Sequence, residues 1–367
     1  MSVEIPAGVL PNAGPSGIEL LTTNRTARYR YELLGPDMEP KGTLQGARGG
    51  RLVEMASATI KRRSDFALTD VGQDIDLLRD RIQVVYEVEG YGEWGCGVYM
   101  PATPKEAWSG RTRRWDMQML DVSTVLAEDR LASAYDIAEG DNLLDAIRDL
   151  IEDAGESAGS ITASDKTAAK SRSWDPGATR SEIINALRES ANYFSLFTDG
   201  NGRFRMEPYQ RPAARSLAWE FIDGATCIYR DRFEHKRDLH SVVNRVIVQT
   251  RGTGTDPGLF SVADNTNAES RYSIANLGRV KAAEPIDVDA ADQATLDAIA
   301  RRRLIEATSP TSTIVIDALP VPIATNGRVR FRRTVADLDL DCVVSHIAMP
   351  DKATGLARYT LTEVVDV

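Results

Sequence analysis

Histidine and cysteine are both scarce in this chain of 367 residues, with three of each. The cysteines, Cys96, Cys227 and Cys342, are odd in number and far apart. They form no disulfide framework and no C-x-x-C metal knuckle, and read as small buried hydrophobes. The histidines, His235, His240 and His346, leave a thin inventory for ordinary hydrolysis. No stretch approaches the roughly 18 apolar residues of a membrane span. The opening MSVEIPAGVLPNAGPSG has neither a basic start nor a continuous apolar run, which argues against a signal peptide. A soluble chain made in the cytoplasm is the expectation.

Cations are in the minority: 44 Lys and Arg stand against 54 Asp and Glu, a formal net charge of −10. A tight nucleic-acid binder needs clustered cations to displace phosphate counterions, and this balance runs the other way. Local basic clusters occur at Lys61-Arg62-Arg63, Arg111 to Arg114, Arg301-Arg302-Arg303 and Arg328 to Arg333. Each lies beside apolar residues and reads as a solvated face or a salt bridge to a neighbour.

What the chain does contain is a run of short, Gly-punctuated β segments that returns after a helical middle. Tyr29, Tyr31 and Leu33 alternate with Arg28, Arg30 and Glu32, the period of a half-buried strand. Gly35-Pro36-Asp37 starts a turn, and Leu52 to Ile60, Ile82 to Val88, Gly92 to Met100 and the alternating Trp115, Met117 and Met119 continue the series. Strands joined mainly by turns favour a barrel or sandwich. In the middle, Leu143, Leu144, Ile147, Leu150 and Ile151 fall at helical spacing after Asp141, with Gly155 placed to end the helix. The Ser/Ala/Thr/Lys-rich stretch 156–173 reads as a surface loop. Thr179 with Glu182 predicts a capping box for a second helix, and Asp199-Gly200-Asn201-Gly202 a hairpin turn. Beyond Pro212, strands are expected at 217–222, 242–250, 311–319, 327–332, 342–349 and 359–365, with a loop over 252–276 and a helix after Asp289.

The candidate chemical motifs fail on spacing. Asp199 and Asn201 alternate as calcium ligands would, but the sixth and twelfth positions of that loop are Phe204 and Gln210, where an EF-hand needs Gly and Glu. His235 and His240 are five apart, which suits a metal pair on neither a helix nor a strand. Gly252-Thr-Gly-Thr-Asp-Pro-Gly is not G-x-G-x-x-G and lacks a following helix. Carboxylates abound, and sequence spacing does not tell whether two of them flank one cleft. No catalytic, cofactor-binding or metal residue is assigned, and no enzyme is expected.

Tyr135-Asp-Ile-Ala-Glu-Gly-Asp-Asn-Leu-Leu-Asp-Ala-Ile looks like the opening of a LysM module, although the Gly-Asp also simply starts and caps a helix. A complete module would continue into a second helix and strand. Several further segments together resemble the minor tail proteins, or baseplate hub proteins, of long-tailed bacteriophages. These are Gly95 to Pro104 (a strand ending in a Pro-containing turn), Arg114 to Leu126, Phe197 to Phe204, Pro208-Tyr-Gln-Arg-Pro and Val243-Asn-Arg-Val. Their order and spacing carry the resemblance, which covers the chain from about residue 25.

The resemblance implies a mainly β fold: an extended arm over 1–23, a first β-barrel over 24–125, an α+β insert with a LysM-like region over 126–213, and a second, similar β-barrel over 214–367 with an excursion at about 252–307. It further implies a homotrimer whose six barrels adapt a sixfold tail tube to a threefold tip. The partners it implies are a distal tail protein ring, the C-terminal end of a tape-measure protein, and tip or fibre proteins, with DNA passing through the lumen unbound. A virion tail tip is the implied location. With the sequence ending at Val367, the resemblance implies a hub region expected to lack the long C-terminal extension that carries lytic or receptor-binding domains in larger relatives. Two other readings stay open: a peptidoglycan-binding module, separable by pull-down on cell wall, and a carboxylate-based peptidoglycan hydrolase, separable by zymography.

Overall fold

Residues 25–49, 51–238, 240, 242–252, 258–290, 292–309, 312–365 and 367 are described by the computed structural model; the arm expected over 1–23 lies outside them. The first β region holds β1 (Ala27–Leu34), β2 (Pro40–Thr43), β3 (Ala47–Arg48), β4 (Val53–Met55), β5 (Arg62–Thr69), β6 (Arg81–Val88), β7 (Gly92–Pro101), β8 (Lys105–Ser109) and β9 (Thr112–Asp121). Alternation places their side chains as expected. Tyr31, Leu33, Phe66, Leu68, Tyr86, Met117 and Met119 point inward, while Arg28, Asp65 and Gln118 stay in water. The segment 40–48 bends between two partners: β2 pairs with β1, and β3 with β5.

The second β region holds β15 (Leu217–Ile222), β16 (Tyr229–Arg237), β20 (Ser312–Ala318), β21 (Arg328–Arg333), β22 (Leu338–Ala348) and β23 (Ala357–Glu363). Its spatial order is β15-β21-β22-β23-β20-β16. In the first region the order is β1-β6-β7-β9-β5 and then the 40–48 segment. Numbering each set of six along the chain, both run first, fourth, fifth, sixth, third, second. They differ at one ladder, where β1 and β6 are antiparallel but β15 and β21 are parallel.

Two separate β-barrels are expected, and the ladders add that the two regions are joined. Among the described residues the two regions merge into one 15-stranded sheet. The cause is a mismatch of length. β22 has 11 residues, whereas β21 has 6 and covers only its first part. The exposed edge of 346–348 is taken up by β4, with Ile347 opposite Glu54. A single core follows, in which Tyr86, Trp94 and Tyr99 lie in one cluster with Phe221, Phe331 and Tyr359.

Between the two regions lie α1 (Thr124–Glu128), β10 (Tyr135–Ile137), α2 (Leu143–Glu152), β11 (Ser160–Ile161), β12 (Arg172–Trp174), α3 (Arg180–Ser190), β13 (Phe197–Thr198) and β14 (Phe204–Met206). Asn142, rather than Asp141, caps α2, and the Thr179–Glu182 capping box opens α3. The stretch 156–173 is not wholly a surface loop: Ala158, Ile161 and Ala168 are buried. Gly159, at φ +56°, lets the chain press against Phe204 so that β11 pairs parallel with β14. The excursion also starts earlier than expected. β17 (Arg245–Gln249) leaves the main sheet and pairs with β18 (Phe260–Asp264) and β19 (Ile286–Asp287). α4 (Ile274–Leu277) lies in the loop between them, and α5 (Gln293–Thr308) covers one face of this small sheet.

The 199–202 turn docks on β6 and β7. Gly200 O accepts from Gly97 N at 3.3 Å, and Gln83 Nε2 donates to Asn201 Oδ1 at 2.8 Å. A Cβ at Gly95 would collide with the backbone of Gly200. Gly95→Ala is therefore expected to cost about 1–3 kcal/mol, read as a lower urea midpoint with an unchanged slope.

Candidate assembly surfaces

The residues singled out for chemistry do not converge. His235 on β16 faces Ile314, with Nε2 3.1 Å from Ser312 Oγ, and burial lowers its pKa. His240 lies beyond the end of that strand, and His346 sits on β22 opposite Met55 and Thr360. Among the described residues no group of three or more His, Cys, Asp or Glu could hold a metal. Asp199 is occupied by its own turn, accepting from Asn201 N, Arg203 N and Arg205 Nε. Residues 253–257 of the Gly252 motif lie outside the described residues. Burial pushes the Cys96 thiol up to about 12, consistent with an inert packed sulfur.

Two carboxylates do share a groove of about 410 Å³: Asp264 on β18 and Asp297 on α5. A hydrolytic pair needs one carboxyl raised and one ionised. Here both are lowered, Asp264 by Arg245 and Asp297 by hydrogen bonds from Ser261 and Gln293. The LysM-like stretch also departs from the module. Between the paired strands β10 and β12, α2 is the one helix among the described residues, and α3 follows β12 in the chain.

The cationic clusters sort into distinct jobs that the sequence left merged. Arg328 and Arg330 form surface ion pairs with Asp341 and Asp339 across β21–β22. Arg302 is buried and donates to Tyr193 O at 2.8 Å, tying α5 to the insert. Arg62 is the junction of the molecule. Its Nε donates to Glu54 Oε2 at 2.9 Å, and its Nη1 donates to Thr198 O and to Asp199 O. The other Glu54 oxygen accepts from Thr325 N at 2.9 Å and Thr325 Oγ1 at 2.7 Å. Although burial opposes the charge, Arg62 and the Thr325 donors hold Glu54 below its ordinary range. First region, insert and second region thus meet on one ion pair.

The free edges of the sheets differ in character. β16 carries Arg230, Asp231, Arg232, Glu234, Lys236 and Arg237, charges that discourage chance pairing. β18 instead exposes Phe260 and Val262. Leu259 O accepts from Thr250 N, and Asn265 N donates to Asn244 O. In an antiparallel ladder that phase turns the N–H and C=O of Val262 away from β17, along the groove lined by Arg211, Arg301, Leu304 and Val365. A third surface is the β8–β9 hairpin, where residues 102–112 are all exposed and Trp108 is 62% exposed.

No protein-family model matches this sequence, and no curated protein matches it. Its fold is similar to that of a tail protein from Neisseria meningitidis, at TM-score 0.65 and 13% identity over 91% of this chain and 96% of that one. It is likewise similar to the 43 kDa tail protein of prophage MuSo2 from Shewanella oneidensis, at TM-score 0.60 and 13% identity over 91% and 98%. A third likeness is to an E. coli type VI secretion component, at TM-score 0.53 and 8% identity over 94% and 77%; that component is described as structurally similar to bacteriophage T4 tail proteins gp27 and gp5. The chain therefore has the fold of phage tail proteins. Among the described residues no helix is long and apolar enough to cross a membrane.

Arg62→Met leaves Glu54 buried without its cation and is expected to cost about 3–5 kcal/mol. Hydrogen exchange should then rise over 197–206 along with a lower urea midpoint. Lys61, beside this junction, donates to Ala56 O at 2.6 Å, and burial with repulsion from Arg188 pushes its pKa down to about 8. Between about 8 and the unfolded value near 10.4 the unfolded chain binds more protons, so this residue makes stability rise with pH. Lys61→Met should flatten that slope in unfolding midpoints measured across the window.

Proposed function

We propose that this chain is a structural tail-tip hub without catalytic activity. Three copies assemble so that their two β units alternate around an axis, giving a pseudo-sixfold ring. The ring joins the sixfold tail tube, or its distal tail ring, to a threefold tip. The observation that carries this reading is the strand order, first-fourth-fifth-sixth-third-second, which occurs twice in one chain. In the proposed assembly each unit curls as a barrel, closed in the first by the 40–48 segment, whose Leu44 N reaches Tyr31 O while Gly46 O accepts from Thr69 N. The likeness to tail proteins supports the same reading.

A hub needs fixed angles between its units, and the shared core with the Glu54–Arg62 junction supplies them. It also needs faces that let DNA pass. Several sheet-surface cations are neutralised, Arg30 by Glu93, Arg330 by Asp339 and Arg358 by Asp317, which weakens their hold on phosphate. The exposed apolar Phe260 and Val262 on the edge of β18 support docking of a strand from the distal tail ring, the tape-measure protein's end or a tip protein.

Sedimentation velocity with negative-stain microscopy tests this directly. Three copies in a ring with near-sixfold projections are expected. A chain that stays monomeric at all concentrations and ignores other tail components would overturn the reading.

A further inference from the structure

The end of the β8–β9 hairpin projects from the sheet, while the rest of β9 pairs with β5 and β7. Ala102 to Thr112 are exposed without a break, and the turn closes over Gly110 at φ +61° between Ser109 and Thr112. Yet the hairpin is stiff. Arg113 lies between Trp108 and Trp115, its guanidinium 5.6 and 4.3 Å from their ring centroids, and Asp70 fixes it at 2.7 Å. A rigid projecting arm tipped with a tryptophan has the make-up of an interface anchor. Its charge is one-sided: Lys105, Arg111, Arg113 and Arg114 stand against Glu106 over 105–114. Among the described residues neither Lys105 nor Arg111 makes an ion pair.

The complementary surface is on the same molecule. From Asp136 to Asp153 the insert carries seven acidic residues against one arginine. On α2, Asp145, Asp149 and Glu152 follow at i, i+4 and i+7, so they form one stripe, opposite the buried Leu144, Ile147 and Ile151. Asp145 is engaged by Arg148, whereas Asp149 and Glu152 are exposed and make no ion pair among the described residues.

We propose that the β8–β9 hairpin of one copy docks on the acidic face of α2 in a second copy. Arg111 and Lys105 meet Asp149 and Glu152, and Trp108 covers the helix surface between them. The two patches are different and lie on different parts of the chain, so the contact is head-to-tail. Such contacts close into rings when the rotation per copy permits. The inference rests on the ring reading above and supplies the contact between neighbours.

The test uses full-length chains in sedimentation velocity at low and high salt. Lys105→Glu with Arg111→Glu, or Asp149→Lys with Glu152→Lys, should each weaken self-association on the order of tenfold. All four substitutions together should restore it. Trp108→Ala should weaken it also, and raised salt should weaken the wild type. Circular dichroism checks folding, and because all the substituted side chains are exposed, native spectra are expected. Trimers indifferent to both reversals would sink this contact and leave the hub standing. Reversals that weaken assembly without mutual rescue would also overturn it, and a wild type monomeric at all concentrations would overturn both.

Discussion

The Glu54–Arg62 ion pair is the constraint on which the arrangement of this molecule turns. Two charges taken out of water cost several kcal/mol each unless every remaining lone pair and proton finds a partner. Here the partners come from three places at once: Thr325 from the second β region, the carbonyls of Thr198 and Asp199 from the insert, and β4 and β5 themselves. Asp121, at the end of β9, accepts from Thr198 Oγ1 at 2.6 Å and extends the network by one step. Moving any one part would leave a buried charge or carbonyl unmatched. A buried pair of this kind contributes little net stability compared with an apolar replacement, so its effect is on geometry.

The same logic of unsatisfied groups explains how two repeated units became one sheet. A long strand beside a short one leaves backbone N–H and C=O groups open, and β4 fills that gap on β22. Elsewhere the open groups are managed by charge. β16 is lined with ionised side chains, while β18 keeps its apolar edge beside a groove. The molecule therefore divides its edges into used, guarded and available ones. That division is what the surface offers a partner.

The chemistry of the titratable groups agrees with this. Asp264 and Asp297 are held ionised and Cys96 is held protonated, each by an ordinary structural neighbour or by burial. None is poised near neutral pH opposite a partner of contrasting pKa, as acid–base work would require.

Much of the local structure was legible in the sequence, because it depends on neighbours a few residues apart. The period-2 alternation of Tyr29 to Leu33, the Thr179–Glu182 capping box and the turn at 199–202 all act over such distances, and each is present. The stretch 156–173 was misread because its burial depends on Gly159 meeting Phe204, 45 residues away. Arg62 and Arg302 looked like Arg113 and Arg114, since composition around a cation does not reveal whether a carbonyl from another segment will close over it. Sequence alone determined the mainly β character on either side of a helical middle, because alternation and capping act over a few residues. Only the tertiary structure decided that β22 outruns β21, that β4 crosses between the two regions, and that, among the described residues, Asp149 and Glu152 on a helix and Lys105 and Arg111 on a hairpin are left without ion pairs. Those outcomes depend on which backbone groups and charges are left over once the whole chain is packed, and no local pattern records what is left over.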